Sequence, residues 1–233
     1  MKRHKFYIKG EIHMKKNINH RILCISMLLI FTLTFLGCSK KEISAEQTAK
    51  AFYDLFILQD NTELQNLGVA DDELTQLSEA QKKAMKDATK SNFIQADLPI
   101  TDEQLESIYQ SQIEALKKLS STMEVVSSDK EVSQVKISTP SIDMVGADTK
   151  AAEDTVTEVL NNQISDKAKI SELYINKLVE NIKALTPSTE VKENTFEFEK
   201  VKMELNKKVQ EVWVPKEPRS FGATLGNMCV GNN

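Results

Sequence analysis

The chain has 233 residues, 40% of them hydrophobic, and 34 acidic against 30 basic side chains give it a formal charge of −4. All three histidines (His4, His13, His20), both cysteines other than Cys229 and two of the three arginines fall within the first 38 residues. Beyond that point there is no material for a Ser-His-Asp or Cys-His nucleophile, a histidine-held zinc, a CxxC metal site, an intramolecular disulfide or a guanidinium cluster for phosphate, and neither G-x-G-x-x-G nor G-x-x-x-x-G-K-[ST] occurs.

The first pattern in chain order is Ile22 to Leu36, 15 uncharged and mostly apolar residues. That is short of the ~20 a helix needs to cross the hydrocarbon layer and suits the core of a signal peptide. Lys15, Lys16 and Arg21 precede it, and Phe35-Leu36-Gly37-Cys38 closes it before the polar Ser39-Lys40-Lys41. The closing residues are similar to the lipobox of bacterial lipoproteins, in which signal peptidase cuts before a cysteine carrying a diacylglyceryl thioether; Phe35 stands where the family usually has Leu. The resemblance implies a signal peptide over 1–37, lipid attachment at Cys38 and a tether over 38–43. The segment before the apolar run is 21 residues long from Met1 and 8 from Met14, and translation is expected to begin at Met14.

Cleavage before Cys38 removes seven basic residues and one acidic one, leaving 196 residues with 23 basic and 33 acidic side chains, a charge of −10. Such a body is repelled by nucleic-acid phosphates and anionic headgroups, so no nucleic-acid partner is expected. Membrane attachment then falls to the acyl chains, at ~0.8 kcal/mol per buried methylene. A chain of this length buries ~70% of its unfolded surface and needs no disulfide or metal to fold.

Ser44, with Gln47 three residues on, reads as a capping box. It opens the helix AEQTAKAFYDLFILQ, along which Ala45, Ala49, Phe52, Tyr53, Phe56 and Ile57 recur at spacings of three and four. A short helix over 62–67 stops at Gly68. Asp71-Asp72-Glu73 start a third helix, where acids suit the positive end of the dipole, with Leu74, Leu77, Ala84, Met85 and Ala88 as its stripe. NFIQADLP is expected as an extended link. Thr101 with Gln104 caps a fourth helix lined by Leu105, Ile108, Tyr109, Ile113, Leu116 and Leu119.

The period then drops to 2. Met123, Val125 and EVSQVKIS predict two strands around a turn at 127–130, and SIDMV predicts a short strand ending near Gly146. Helices are expected over 150–162, with Ala152, Val156, Val159 and Leu160 facing inward, and over 166–185, with Ile170, Leu173, Tyr174, Leu178, Ile182 and Leu185. Phe196 and Phe198 followed by Val201, Met203 and Leu205 slip phase at Glu199-Lys200, which predicts a β-bulge. Asn206-Lys207-Lys208 then turns into VQEVWVP, with Val212 and Val214 on one face and Trp213 on the other. Residues 221–233 are weakly patterned, a short helix or a disordered tail. The fold expected over 44–220 is a single α+β domain, with amphipathic helices packed on a small, bent antiparallel sheet.

Behind the lipobox, the motifs A-E-x-x-A-K-A-F-Y-D-L-F, Leu67-Gly68, K-I-x-T-P-x-I-D and x-V-W-V-P resemble Gram-positive cell-surface lipoproteins with a domain of unknown function. That family's fold is related to the cystatin and nuclear-transport-factor-like α+β proteins. The resemblance covers most of residues 42–216. It implies a place at the extracytoplasmic face of the cell membrane and brings no catalytic or ligand residues with it.

Carboxylates are the remaining catalytic groups in quantity. Glu193, Glu197, Glu199, Glu204 and Glu211 could supply a glycosidase-like pair, yet they alternate with apolar residues and lysines as on the solvated face of an antiparallel sheet. Asp71-Asp72-Glu73 and Glu153-Asp154 lack the spacing of a calcium loop. No metal or cofactor is expected. The weak candidates for ligand contact are Trp213, Tyr53, Tyr109 and Tyr174, each of which also fits a core position. The function expected is therefore a lipid-anchored, non-enzymatic binding module, taking a small ligand, a wall component or another envelope protein in the concavity between sheet and helices. Two alternatives stand beside it. One is a carboxylate-dependent cell-wall glycan enzyme; the other is a role for the signal peptide, whose end IFTLTFLG is similar to the lipoprotein-derived peptide pheromones of enterococci.

Overall fold

The computed structural model describes residues 43–205 and 208–231. The expected signal peptide, the expected start at Met14, the expected lipid attachment at Cys38 and the expected turn at Asn206-Lys207 lie outside the described residues. The architecture is α+β. Strands β1 (Thr122–Ser128), β2 (Val132–Pro140), β3 (Val191–Leu205) and β4 (Lys208–Pro215) form an antiparallel sheet in chain order. The helices are α1 (Ala45–Tyr53), running into a π-helical turn (Asp54–Leu58), then α2 (Thr62–Leu67), α3 (Asp71–Gln95), α4 (Asp102–Leu116), α5 (Met144–Asn161), α6 (Lys167–Ala184) and α7 (Pro218–Cys229). Helices α1 and α7 lie against the sheet, α4 packs on the π turn, α3 and α6, and α5 packs on α6.

Local chemistry sets the helix starts. Both predicted capping boxes are present. Gln47 N–H donates to Ser44 Oγ at 3.1 Å while Ser44 N–H donates to Gln47 Oε1 at 3.2 Å, and Thr101 and Gln104 make the same exchange at 3.2 and 2.9 Å. Gly68 ends α2 at φ 96°, a left-handed conformation that favours glycine. The first predicted helix is regular only to Tyr53. Its last turn widens to the π register and stops at Gln59, itself left-handed at φ 54°.

Several expectations are corrected. Asn92 to Gln95 continue α3 instead of forming an extended link, because Phe93 falls in step with Leu74, Gln81 and Met85 on the buried side; the helix stops at Gln95, with Asp97 left-handed at φ 56° just before Pro99. SIDMV is no strand. Asp143 accepts the Gly146 N–H at 2.8 Å and caps α5, which starts at Met144. The buried side of α5 is Met144, Ala147, Ala151 and Thr155, whereas Val156 is 42% and Leu160 71% exposed. Small alanines let α5 approach α6 closely and leave the larger residues outside. Residues 218–229 form α7, with Pro at its first turn, and Phe221, Leu225, Met228 and Cys229 enter the core.

The bulge lies elsewhere than expected. Val125 pairs with Val135 and Ser127 with Gln134, so Val126 in β1 is the extra residue. Pairing of β3 with β4 runs without a shift from Phe198–Pro215 through Lys200–Trp213 to Val201–Val212 and beyond. The slip read at Glu199-Lys200 is instead an exchange of buried faces. Phe196 and Phe198 point to the helices with Val135 and Ile137, while Val201, Met203 and Leu205 occupy the opposite face with Val212 and Val214, beneath Ile43, Leu67 and Val69. The last strand is therefore buried on both sides, with Trp213 facing the helices.

Candidate functional site

The space between sheet and helices is occupied by rings. Phe221 of α7 sits at its centre, with ring centroids 4.8 Å from Phe196, 5.6 Å from Phe198, 6.1 Å from Phe56 and 6.3 Å from Phe52. Tilted and edge-on contacts at these distances are the favourable aromatic arrangements. Trp213 belongs to the same core, with the Lys200 ammonium 4.9 Å from its ring centroid. It is packing, not an exposed binding platform.

The three tyrosines have different partners. Tyr53 is fully buried where α1, β2 and α7 meet. Its hydroxyl is 2.8 Å from Thr139 Oγ1, and the Cys229 thiol donates to it at 3.8 Å. Burial raises the phenol well above its ordinary range and pushes the Cys229 thiol up to about 11. Cys229 is thus a sealed core thiol, inert as a nucleophile, since thiolate is the reactive form. Tyr109 on α4 is also buried, with the Lys82 ammonium 5.2 Å from its ring centroid; burial again raises its phenol. Tyr174 on α6 meets Phe93 in a tilted contact at 5.6 Å and donates its hydroxyl to Asp148 of α5. Burial raises the Asp148 carboxyl, and the Tyr174 hydroxyl partly offsets the shift. Each tyrosine tightens one junction of the fold.

The candidate glutamates lie along β3 and, for Glu211, β4. Glu193 accepts from Ser138 at 2.9 Å, Glu197 is ion-paired with Lys216, and Glu204 and Glu211 stand across from Val209 and Lys202. Elsewhere Lys82 and Lys86 converge on Glu106 at 2.6 and 3.2 Å, and the Lys82 hydrogen bond is the main cause holding that carboxyl at about 2. Among the described residues no three His, Cys, Asp or Glu side chains are placed to hold a metal ion, and no helix is long and apolar enough to cross a membrane.

A shallow cleft of about 240 Å³ lies between the start of α4 and the start of α6, lined by Pro99, Ile100, Thr101, Gln104, Ala168 and Glu172. It is smaller than the ~300–1,000 Å³ of usual ligand sites. Thr101 and Gln104, two of its polar residues, are already engaged in their capping box.

Gln81 is a feature the sequence reading missed, and α7 is one it left open between a short helix and a disordered tail. Gln81 is buried in α3, donating to the Phe56 carbonyl of the π turn at 2.9 Å, while its Oε1 has no hydrogen-bond partner. A π register frees carbonyls that an α turn would use, and nothing in the sequence near Gln81 announces that need. The signal for α7 was present as Phe221, Leu225 and Met228 after Pro218, but Gly222 and Gly226 weakened it.

No family model and no curated protein matches the chain. The cystatin and nuclear-transport-factor-like kinship expected above therefore finds no matching family. Among solved structures the chain is similar to YcdA of Bacillus subtilis, a protein designated a lipoprotein, with a TM-score of 0.60 and 15% identity over 80% of this chain. The match spans 57% of that protein's length. What the likeness shows is a shared α+β fold.

Proposed function

We propose that the chain is a lipoprotein held through Cys38 at the extracytoplasmic face of the cell membrane. It acts there as a non-enzymatic interaction module whose outer surface meets another envelope protein. The observation that carries this reading is the filled interior: the Phe221 cluster occupies the concavity in which a small ligand would have been held. Recognition then falls to the outside. The fold shared with a protein designated a lipoprotein supports the anchor, and the lipobox-like end of the apolar run supplies the residue for it.

On that outside, Val156 and Leu160 stand one helical turn apart on α5 and are 42% and 71% exposed. Paired apolar side chains left in water on a helix face suit contact with a partner. The test is site-directed photo-crosslinking in intact cells from a position beside Leu160, comparing the native chain with the double variant Val156→Lys, Leu160→Lys. Loss of a discrete adduct, with an unchanged unfolding midpoint, is expected. An adduct that persists would remove α5 as the contact. Turnover of a cell-wall glycan abolished by Glu197→Gln would overturn the non-enzymatic reading in favour of the carboxylate enzyme.

A further inference from the structure

The anchor and the fold meet at Ile43, and where it packs has a geometric consequence. Ile43 is 5% exposed and lies against Leu205 and Val212, beside Leu67 at the end of α2, Val69 and Met203, on the face of the β3–β4 hairpin opposite Trp213 and α7. Ser44 follows in extended conformation, φ −75° and ψ 155°, and caps α1. The chain is thus tied to the hairpin end of the sheet before any helix begins. Cys38 is five residues upstream, and at 3.3–3.6 Å per residue a fully extended chain places its Cα no more than ~18 Å from that of Ile43. β3 has 15 residues, so at 3.3 Å per residue its Val191 end lies roughly 45 Å from its Leu205 end.

We infer that the Leu205 end of the β3–β4 hairpin is the membrane-facing pole of the domain, held against the headgroup surface by the short tether. The Val191 end, joined to the start of α5 through the Ser188 N–H to Ser141 carbonyl bond of 2.7 Å, points away. The inference rests on the lipid anchor at Cys38 proposed above. Tether length alone would let the domain lie flat. The charge of −10 on the cleaved chain opposes that, since an acidic body is repelled by an anionic surface. The occupant of this pole is the bilayer, and protein partners are left the distal half.

Strand β3 serves as the ruler for the test. Glu204 and Val191 are both exposed, near opposite ends. Glu204→Cys and Val191→Cys are made separately in the full-length chain, which is acylated in cells, purified and placed in phosphatidylcholine–phosphatidylglycerol vesicles. Each cysteine carries a maleimide donor and the headgroups carry an acceptor. Cys229 is fully buried and stays unlabelled, and an acylated Cys38 has no free thiol. Energy transfer from position 204 is expected to exceed that from 191 by at least ~3-fold, given the separation set by the strand rise. Equal transfer, or more from 191, in a chain whose mass confirms acylation would overturn the orientation and leave the anchor standing. A chain that gains no diacylglyceryl mass at Cys38 would overturn the anchor itself and the orientation with it.

Discussion

Over its first half β3 packs Phe196 and Phe198 on the helix side, against Phe221, while Glu193 and Thr195 on the other face stay in water. Over its second half the apolar residues change sides: Val201, Met203 and Leu205 face away from α7 and are covered by Ile43, by Leu67 at the end of α2, and by Val69. Nothing in the strand's pairing marks the change, because the ladder with β4 is unbroken across it. A strand can exchange its buried face without an extra residue when a different partner covers each face in turn. In β4 both kinds of cover overlap, with Trp213 on one side and Val212 on the other.

Emptying the first half should break this arrangement most severely. Phe221→Ala removes the ring shared by four phenylalanines and is expected to cost about 3–5 kcal/mol, read from the shift in a denaturant midpoint at constant slope. A loss below about 1 kcal/mol would mean that the cluster is not the centre of the core. The second half should be the softer. Leu205→Ala is expected toward the lower end of the about 2–5 kcal/mol typical of buried leucine truncations. Its distinctive sign would be hydrogen exchange: amides from Val201 to Leu205 should speed up while those of Val135 and Phe196 keep their protection. Equal acceleration in both halves would make them one cooperative unit. The smallest effect has the opposite sign. An added methyl at Gly222 or Gly226 of α7 meets no atom within 4 Å, so each Gly→Ala change should stabilise by about 0.5–1 kcal/mol through helix propensity and chain entropy.

The sequence was legible wherever the deciding interaction is local. Ser44 with Gln47 and Thr101 with Gln104 each satisfy backbone donors within one turn, so their residue types suffice to find them. It was misleading where packing distance decides. Hydrophobicity points α5 inward through Val156 and Leu160, but close approach to α6 rewards the smaller Ala147 and Ala151. β3 misled for the reason already given: alternation cannot tell a bulge from a change of cover. For the candidate site, the stripes of α1, α4 and α6 identified Tyr53, Tyr109 and Tyr174 as inward-facing residues. Their different partners, Thr139 and Cys229, Lys82, and Asp148, are set by three-dimensional packing that periodicity does not reveal. The lipid attachment proposed at Cys38 rests on sequence alone, because a cleavage signal is read by its peptidase as extended sequence and not as a fold.

The bulge at Val126 has a bearing on life in two dimensions. Proteins fixed in a membrane, as proposed for this one, share a plane and collide far more often than in solution. β1 is the outer strand of the sheet, and Val125 and Val126 on it are 40% and 46% exposed. A flat edge of that composition would invite copies to add strand to strand into ribbons. The extra residue throws the row of donors and acceptors out of register midway along the edge. A second copy adding its strand to that edge would meet a row shifted by one residue at Val126.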